Sequence, residues 1–210
     1  MTGTQKATFG GLSIVFDDRV LRPRSWTTSQ SYWAAELLRR SPPGAVLELC
    51  AGVGHIGLLA VTFEPRDLVL VDLDAAACEF ARRNVGANPL TSSVDVRQGP
   101  MDQVLSDHEL FAGIIADPPW VPSQDVGRFP EDPLRAIDGG PDGMAVAWTC
   151  LDLVARHLAD EGWGLLQLGN TAQVRAVAER LDASPDLELG IAEVREYGDR
   201  GVLLHLTRSR

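Results

Sequence analysis

Four consecutive residues, Asp117, Pro118, Pro119 and Trp120, form the most distinctive chemically useful group in the sequence. The prolines lack backbone N–H donors and fix φ, so they make a rigid turn whose carbonyl groups still accept hydrogen bonds. Asp117 adds a carboxylate acceptor, and Trp120 adds a flat aromatic face. Such a turn can bind both hydrogens of a planar NH2 group and aim the nitrogen lone pair at an electrophile.

A second group lies earlier in the chain, where Glu48 precedes a turn that contains Gly52, Gly54 and Gly57. The three glycines match G-x-G-x-x-G, and Asp72 lies 20 residues after Gly52. This pattern is typical of nucleotide-binding turns, in which glycines let the backbone approach the ligand and a distal acid binds ribose hydroxyls. A glycine-rich turn that only lets a helix pack on a strand is the structural alternative.

Two nucleotide ligands fit this turn. NAD places its pyrophosphate at the N-terminus of the following helix. S-adenosylmethionine carries no phosphate and places an amino group near the turn, where the carboxylate of Glu48 suits it. We therefore expect adenosylmethionine as the cofactor. An NAD(P)-dependent oxidoreductase is the alternative from another class, although the sequence offers no evident Tyr/Lys pair or His proton donor near the strand ends.

The elements that position these residues alternate between short apolar runs and helical patterns, which predicts an α/β fold. Strands are expected over residues 45–50, 68–72, 94–97, 113–116, 164–168, 187–194 and 202–206. Helices are expected over residues 27–40, 74–85, 144–158 and 172–181, with another after the glycine turn. No helix separates the last two strands, so they should pair antiparallel. We expect a doubly wound, mostly parallel, seven-stranded Rossmann-like sheet with an antiparallel edge hairpin.

The composition of the 210-residue chain limits its function. Hydrophobic residues make up 45%, enough for a buried core. Acidic residues outnumber basic ones by 29 to 19, and the net charge of −10 disfavours sequence-independent binding of nucleic acid. The three cysteines are scattered and no metal-ligand set is present, so we expect neither a disulfide scaffold nor a metal site. Without a signal core or a membrane-length apolar run, we expect a cytoplasmic protein.

Residues 48–57 and the Asp-Pro-Pro-Trp turn together resemble a class I adenosylmethionine-dependent methyltransferase with an [Asn/Asp]-Pro-Pro-aromatic motif. Residues 139–143, Gly-Gly-Pro-Asp-Gly, resemble the Gly-Gly-x-Asp-Gly segment of the HemK family. That family comprises the protein-(glutamine-N5) methyltransferases that act on peptide-chain release factors. Residues 20–24 are similar to the family's Pro-Arg segment, and the resemblance extends over about residues 20–206.

The resemblance implies a cofactor-binding role for five residues. Glu48, Gly52 and Gly54 would contact the methionine part and the ribose of adenosylmethionine. Asp72 would hold the ribose hydroxyls, and Asp102 would lie near the adenine.

Catalytic roles follow from the same resemblance. Asp117 would bind the target nitrogen together with the carbonyl of Pro118, and Trp120 would stack on it. The family usually has Asn at the first position and Tyr at the last, and Asp there is commoner among enzymes that methylate an exocyclic amine of a nucleobase. A protein glutamine is the leading substrate. A nucleobase amine in RNA or DNA, or a small molecule, is the alternative.

The resemblance also bears on domains and partners. Longer members of the family carry an N-terminal helical domain, whereas only about twenty residues precede the matched part here. We expect residues 1–40 to form a hairpin and helix extension that packs on the core, and residues 41–210 to form the methyltransferase domain. The hairpin is expected over residues 11–16 and 19–21. The expected partner is a protein substrate such as a release factor, and a small partner subunit, as in some short members, stays open.

Overall fold

The computed structural model describes residues 3–209, and its principal element is a seven-stranded sheet. An N-terminal hairpin of β1 (Gln5–Phe9) and β2 (Leu12–Phe16) precedes it. The sheet contains β3 (Val46–Leu49), β4 (Leu68–Asp72), β5 (Val94–Gln98), β6 (Phe111–Ala116), β7 (Leu158–Leu168), β8 (Leu189–Glu196) and β9 (Val202–Arg208). Its spatial order is β5-β4-β3-β6-β7-β9-β8.

The direction of the strands confirms the predicted doubly wound sheet. Strands β5, β4, β3, β6 and β7 run parallel, whereas β9 pairs antiparallel with both β7 and β8. The chain moves outward from β3 to β5 and then returns to place β6 on the other side of β3. This reversal creates a crevice at the carboxyl ends of β3 and β6, where sheets of this kind bind ligands.

Six helices flank the sheet in the described part of the chain. They are α1 (Thr28–Leu38), α2 (His55–Phe63), α3 (Ala75–Ala87), α4 (Leu134–Ile137), α5 (Ala145–His157) and α6 (Thr171–Ala183). Strand β3 supplies Val46 to a hydrophobic cluster with α1 and α2, and Leu47 to one with α5. Because successive side chains of a strand point to opposite faces, helices cover both sides of β3.

The N-terminal hairpin lies earlier than the sequence predicted. Strands β1 and β2 pair around Gly10 and Gly11, whose φ angles are 55° and 98°. The prediction of a hairpin around Asp17, with a second arm over residues 19–21, is wrong. Asp17 instead accepts hydrogen bonds from the backbone N–H and side chain of Arg19, so the chain turns away there. Glycine tolerates the positive φ that a tight hairpin turn requires, and an ordinary residue does not.

Two buried or half-buried amides attach the hairpin to α3. Asn84 accepts from the N–H of Val15 at 2.8 Å and donates to its carbonyl at 3.2 Å. Asn88 makes the same pair of bonds with Ser13, at 3.0 and 3.1 Å.

The division of the chain at residue 40 into extension and domain stays a prediction. Within residues 3–209, no helix is both long and apolar enough to cross a bilayer.

Candidate functional site

Two cavities open beside the carboxyl ends of the parallel strands, and they share a wall. The strand cavity, about 400 Å³, follows the ends of β3, β4 and β5. The turn cavity, about 410 Å³, lies between the Asp-Pro-Pro-Trp turn and an N-terminal segment, residues 21–27. The residues that line both are Leu21, His55, Asp117, Pro119 and Ala136.

Asp72, at the end of β4, is the central acid of the strand cavity. One carboxylate oxygen accepts from the N–H of Gly52 at 2.6 Å, and the other accepts from the N–H of Asp74 at 2.8 Å. Burial is the main cause that raises the pKa of Asp72. Gly52 has a φ of 54°, so this turn needs a residue that adopts the left-handed region. The carboxylate thus ties the glycine turn after β3 to the turn after β4.

Asp102 lies at the other end of the strand cavity. It follows β5 through residues 99–101, which also line the cavity. The structure therefore brings together Gly52, Asp72 and Asp102 on one cavity, although β3 and β5 are separated by β4.

Glu48, in β3, and Gly54, in the glycine turn, line neither cavity. Glu48 is 1% exposed, and its Oε2 accepts from the N–H of Gly57 in α2 at 2.9 Å. Burial raises the pKa of Glu48 to about 8, and the nearby carboxylates of Asp117 and Asp72 add to the rise. Gly54 has a φ of 79°, and a Cβ there would lie 2.7 Å from Leu70. Direct contact of these two residues with a cofactor stays a prediction.

Asp117 follows β6 and forms part of the wall between the two cavities. Within the described residues its carboxyl group has no hydrogen-bond partner, and burial raises its pKa to about 7. Glu48, Asp72 and Asp117 therefore place three carboxyl groups at the ends of adjacent strands. Their raised pKa values keep Glu48 protonated near pH 7 and Asp117 partly protonated, and a ligand that carries positive charge would favour the ionised forms.

Arginines at the strand cavity do not neutralise this cluster. Arg19 pairs with Asp17 at 2.9 Å, and Arg135 approaches Asp74 at 3.7 Å. Both guanidinium groups lie at exposed positions, 51% and 71% accessible, where solvent screens their charge. These arginines would therefore compete little with a cationic ligand for the carboxyl groups of the cluster. No group of three or more side chains that could hold a metal occurs within residues 3–209.

Pro118 and Trp120 line the turn cavity, as the predicted acceptor site requires. The Gly-Gly-Pro-Asp-Gly segment packs behind them. The N–H of Gly139 donates to the carbonyl of Val121 at 2.9 Å. A Cβ at Gly143 would overlap the carbonyl of Trp120. In this structure the segment therefore supports the Asp-Pro-Pro-Trp turn from outside the cavity.

Sequence reasoning missed one ion pair at the turn cavity. Arg24 donates to Asp132 Oδ1 at 2.6 Å, and the Asp132 side chain is only 7% exposed. The pair joins the N-terminal segment to the long loop after β6. The Pro-Arg resemblance marked Arg24, but a partner 108 residues away leaves no local signal.

His55, the first residue of α2, also lines both cavities. Its Nε2 lies 3.4 Å from Thr27 Oγ1, whose hydroxyl also donates to the carbonyl of Arg24. Burial lowers the pKa of His55 to about 4, so the ring is neutral at physiological pH.

Comparisons with known proteins agree with this geometry. The family model "Methyltransferase small domain" matches residues 31–129. The ribosomal protein uL3 glutamine methyltransferase of Francisella tularensis is 28% identical, over 95% of this chain and 64% of that protein. The release factor glutamine methyltransferase of Mycolicibacterium smegmatis is 32% identical, over 81% of this chain and 62% of that protein. The chain thus spans less than two thirds of the length of these relatives.

Solved structures share the fold. The catalytic domain of human Mettl16 in complex with a hairpin of the MAT2A 3′ untranslated region has a TM-score of 0.73 at 16% identity, and covers 94% of this chain and 75% of that chain. The N-terminal domain of human METTL16 in complex with SAH has a TM-score of 0.66 at 17% identity, with 95% and 76% covered. At these identities the likeness concerns the fold alone.

Proposed function

The chain belongs to the HemK-like class I methyltransferases, and we propose that it transfers a methyl group from S-adenosylmethionine to a glutamine side-chain amide of a protein. The position of Asp117 carries this proposal. Asp117 lines both the strand cavity and the turn cavity, so a methyl donor in one and a planar NH2 group in the other would meet beside it. The names of the relatives favour a protein acceptor, and uL3 and release factors are the first candidates.

The strand cavity suits adenosylmethionine in charge and in donor set. Four aspartates line it, Asp72, Asp74, Asp102 and Asp117, so a ligand with an ammonium and a sulfonium group is favoured. The same acids disfavour the pyrophosphate of NAD. Asp72 would hold the ribose hydroxyls, the backbone at Gly52 would contact the amino-acid part, and Asp102 would lie near the adenine. The cofactor supplies an electrophilic methyl group bound to sulfur.

The turn cavity would hold the acceptor nitrogen. The Asp117 carboxylate accepts one hydrogen of the NH2 group and the carbonyl of Pro118 accepts the other, while Trp120 stacks on the amide plane. Positive charge develops on the nitrogen as the new C–N bond forms, so a carboxylate helps more in the transition state than in the ground state. The bond between the methyl carbon and the sulfonium sulfur would break as the C–N bond forms, and adenosylhomocysteine would leave as a neutral thioether. The nitrogen would then pass one proton through the Asp117 carboxylate to solvent, which gives the neutral methylamide. Since ribosomal proteins and release factors act in translation, we place the reaction in the cytoplasm.

Transfer of labelled methyl groups tests this proposal. The purified protein is incubated with methyl-labelled adenosylmethionine and, separately, recombinant uL3, a release factor and total RNA. We expect label in protein, mapped by mass spectrometry to one glutamine, and no label when that glutamine is changed to Glu. The Asp117→Ala variant is the matched control. Label in RNA alone, or binding of NAD without binding of adenosylhomocysteine, would contradict the proposal.

A further inference from the structure

We propose that Gln173 is a positioning residue that sets the orientation of Trp120, and through it the fit of the acceptor group. The kinetic consequence rests on the proposed function, whereas the structural one does not. Gln173 lies in the first turn of α6, is 5% exposed and lines neither cavity. It can therefore affect the acceptor site only through the residues that it contacts.

The side-chain amide of Gln173 joins three separate segments of backbone. Its Nε2 donates to the carbonyl of Trp120 at 3.1 Å and lies 3.3 and 3.4 Å from the carbonyls of Asp142 and Gly143. Its Oε1 accepts from the N–H of Gly169 at 2.7 Å. One buried amide thus holds the Asp-Pro-Pro-Trp turn, the Gly-Gly-Pro-Asp-Gly segment and the end of β7 together.

The Asp-Pro-Pro-Trp turn needs such an external contact. Pro118 and Pro119 have no N–H groups, so the turn cannot fix these two positions through backbone donors of its own. The Trp120 ring packs closely against Gly169, where an added Cβ would overlap the ring. Gln173 makes hydrogen bonds to both the Trp120 carbonyl and the Gly169 N–H. These bonds keep the Trp120 ring in contact with Gly169.

The backbone of Gln173 is itself held in place. The Asn170 side chain caps α6 by accepting from the N–H of Gln173 at 3.0 Å. A buried amide with both ends bonded has little freedom, so the orientation of Trp120 is transmitted from a helix terminus rather than from a mobile loop.

Two variants separate the donor from the acceptor function of this amide. Gln173→Glu keeps an oxygen for Gly169 but places a carboxylate against three carbonyl oxygens, whereas Gln173→Met keeps the length and removes both bonds. Val177→Ala is the matched control, because Val177 is buried on the same helix and belongs to a hydrophobic cluster that includes none of residues 117–120. All three proteins are compared with wild type after their unfolding midpoints have been measured.

The first measurement is ¹⁹F NMR of protein labelled with 5-fluorotryptophan, with the Trp120 signal assigned from Trp120→Phe. We expect that signal to shift or broaden in both Gln173 variants and to stay unchanged in Val177→Ala. An unchanged Trp120 signal in both Gln173 variants would overturn the proposal. This measurement needs no substrate, so it tests the contact even if the proposed function fails.

The second measurement is steady-state kinetics on whichever of uL3 and the release factor wild type methylates. We expect the acceptor KM to rise at least about tenfold in Gln173→Glu and less in Gln173→Met, as for a lost buried hydrogen bond. Adenosylhomocysteine affinity should stay within about twofold. Equal loss of cofactor and acceptor binding, or the same acceptor KM in Gln173→Glu as in Val177→Ala, would mean that Gln173 only stabilises the fold.

Discussion

The strand cavity and the turn cavity meet at Asp117 but are assembled in different ways. The strand cavity takes its central acids from the ends of neighbouring strands, with Asp72 as the last residue of β4 and Asp102 in the turn after β5. The turn cavity takes its groups from the N-terminal segment, the turn after β6, the loop before α4 and the β8–β9 connection. Sheet topology therefore brings together the acids at the strand ends in the first cavity, whereas long-range packing of loops assembles the second.

The two cavities also differ in charge. Four aspartates line the strand cavity against two arginines, Arg19 and Arg135. Both arginines are exposed; Arg19 pairs with Asp17 outside the cavity, and Arg135 approaches Asp74 at 3.7 Å. The turn cavity mixes both signs, and its most buried pair, Arg24 and Asp132, neutralises itself. A cationic ligand on one side and a neutral amide on the other fit this difference. Substitutions at either cavity should therefore separate effects on cofactor binding from effects on the acceptor.

The largest effect is expected at the shared wall. Asp117→Ala should reduce the single-turnover rate by about 100-fold or more, as when one preorganised electrostatic group is lost. Adenosylmethionine affinity should change little, because several other groups line the strand cavity. Rapid-quench measurements at saturating cofactor check the rate, and calorimetry with adenosylhomocysteine checks binding.

The Asp117→Asn variant distinguishes an amide acceptor from a ring-amine acceptor at the shared wall. If the acceptor is an amide, the Asn variant should keep substantial activity, because the amide oxygen still accepts one hydrogen. If the substrate is instead a ring amine that needs a charged hydrogen-bond acceptor, the Asn variant should be nearly as slow as the Ala variant. Equal rates for wild type, Asn and Ala would show that Asp117 only shapes the turn.

Asp72→Ala should act on the strand cavity alone. Loss of a carboxylate that holds ribose hydroxyls should weaken adenosylhomocysteine binding by about 1.5–3 kcal/mol, the scale of hydrogen bonds to a charged group. The acceptor KM, measured at saturating cofactor, should stay near the wild-type value. Since Asp72 also bonds Gly52 and Asp74, circular dichroism must first show a folded variant. Unchanged affinity in a folded variant would place the ribose elsewhere.

Glu48 should make stability fall as pH rises. Its pKa is about 8 in the folded protein against 4.5 ordinarily, so between these values the folded state keeps a proton that the unfolded state has lost. This contribution is fully present below about pH 4.5 and is lost as pH rises through about 8. Glu48→Gln keeps an acceptor for Gly57 and should flatten the decline, measured by urea unfolding between pH 5.5 and 8.5. If the free energy of unfolding falls with pH at the same slope in wild type and Glu48→Gln, Glu48 is not buried in its protonated form.

The Arg24–Asp132 pair should have the smallest effect and act on the turn cavity alone. Arg24→Gln and Asp132→Asn should each raise the acceptor KM a few-fold, with a coupling of about 0.5–1 kcal/mol in the double variant, since Arg24 is partly exposed and screened. Cofactor affinity should not change. If the effects of the two substitutions on KM are additive, the ion pair does not help to close the turn cavity. A change in cofactor affinity would show that the two cavities are coupled.

Local chemistry explains which parts of the molecule were predictable. Strand β4 appears over the predicted residues, and Asp74 caps α3 by accepting from the N–H of Ala76 at 2.7 Å. The antiparallel pairing of β8 and β9 was also predicted and is confirmed. Apolar runs, helix caps and connection lengths depend on neighbouring residues, so the sequence contains them. The prediction of the hairpin is wrong because it places the turn at Asp17-Asp18. The turn lies at Gly10-Gly11, whose positive φ angles suit a hairpin.

The sequence by itself determined the order of strands and helices, the glycine turn with Asp72, and the rigid Asp-Pro-Pro-Trp turn, because backbone preferences and hydrophobic periodicity act over a few residues. Tertiary structure alone decided which carboxyl groups share a buried space, and so raised the pKa values of Glu48 and Asp117. It also brought Gln173 to Trp120 across 53 residues. Burial and long-range contacts depend on the packing of the whole chain, and no short pattern records them.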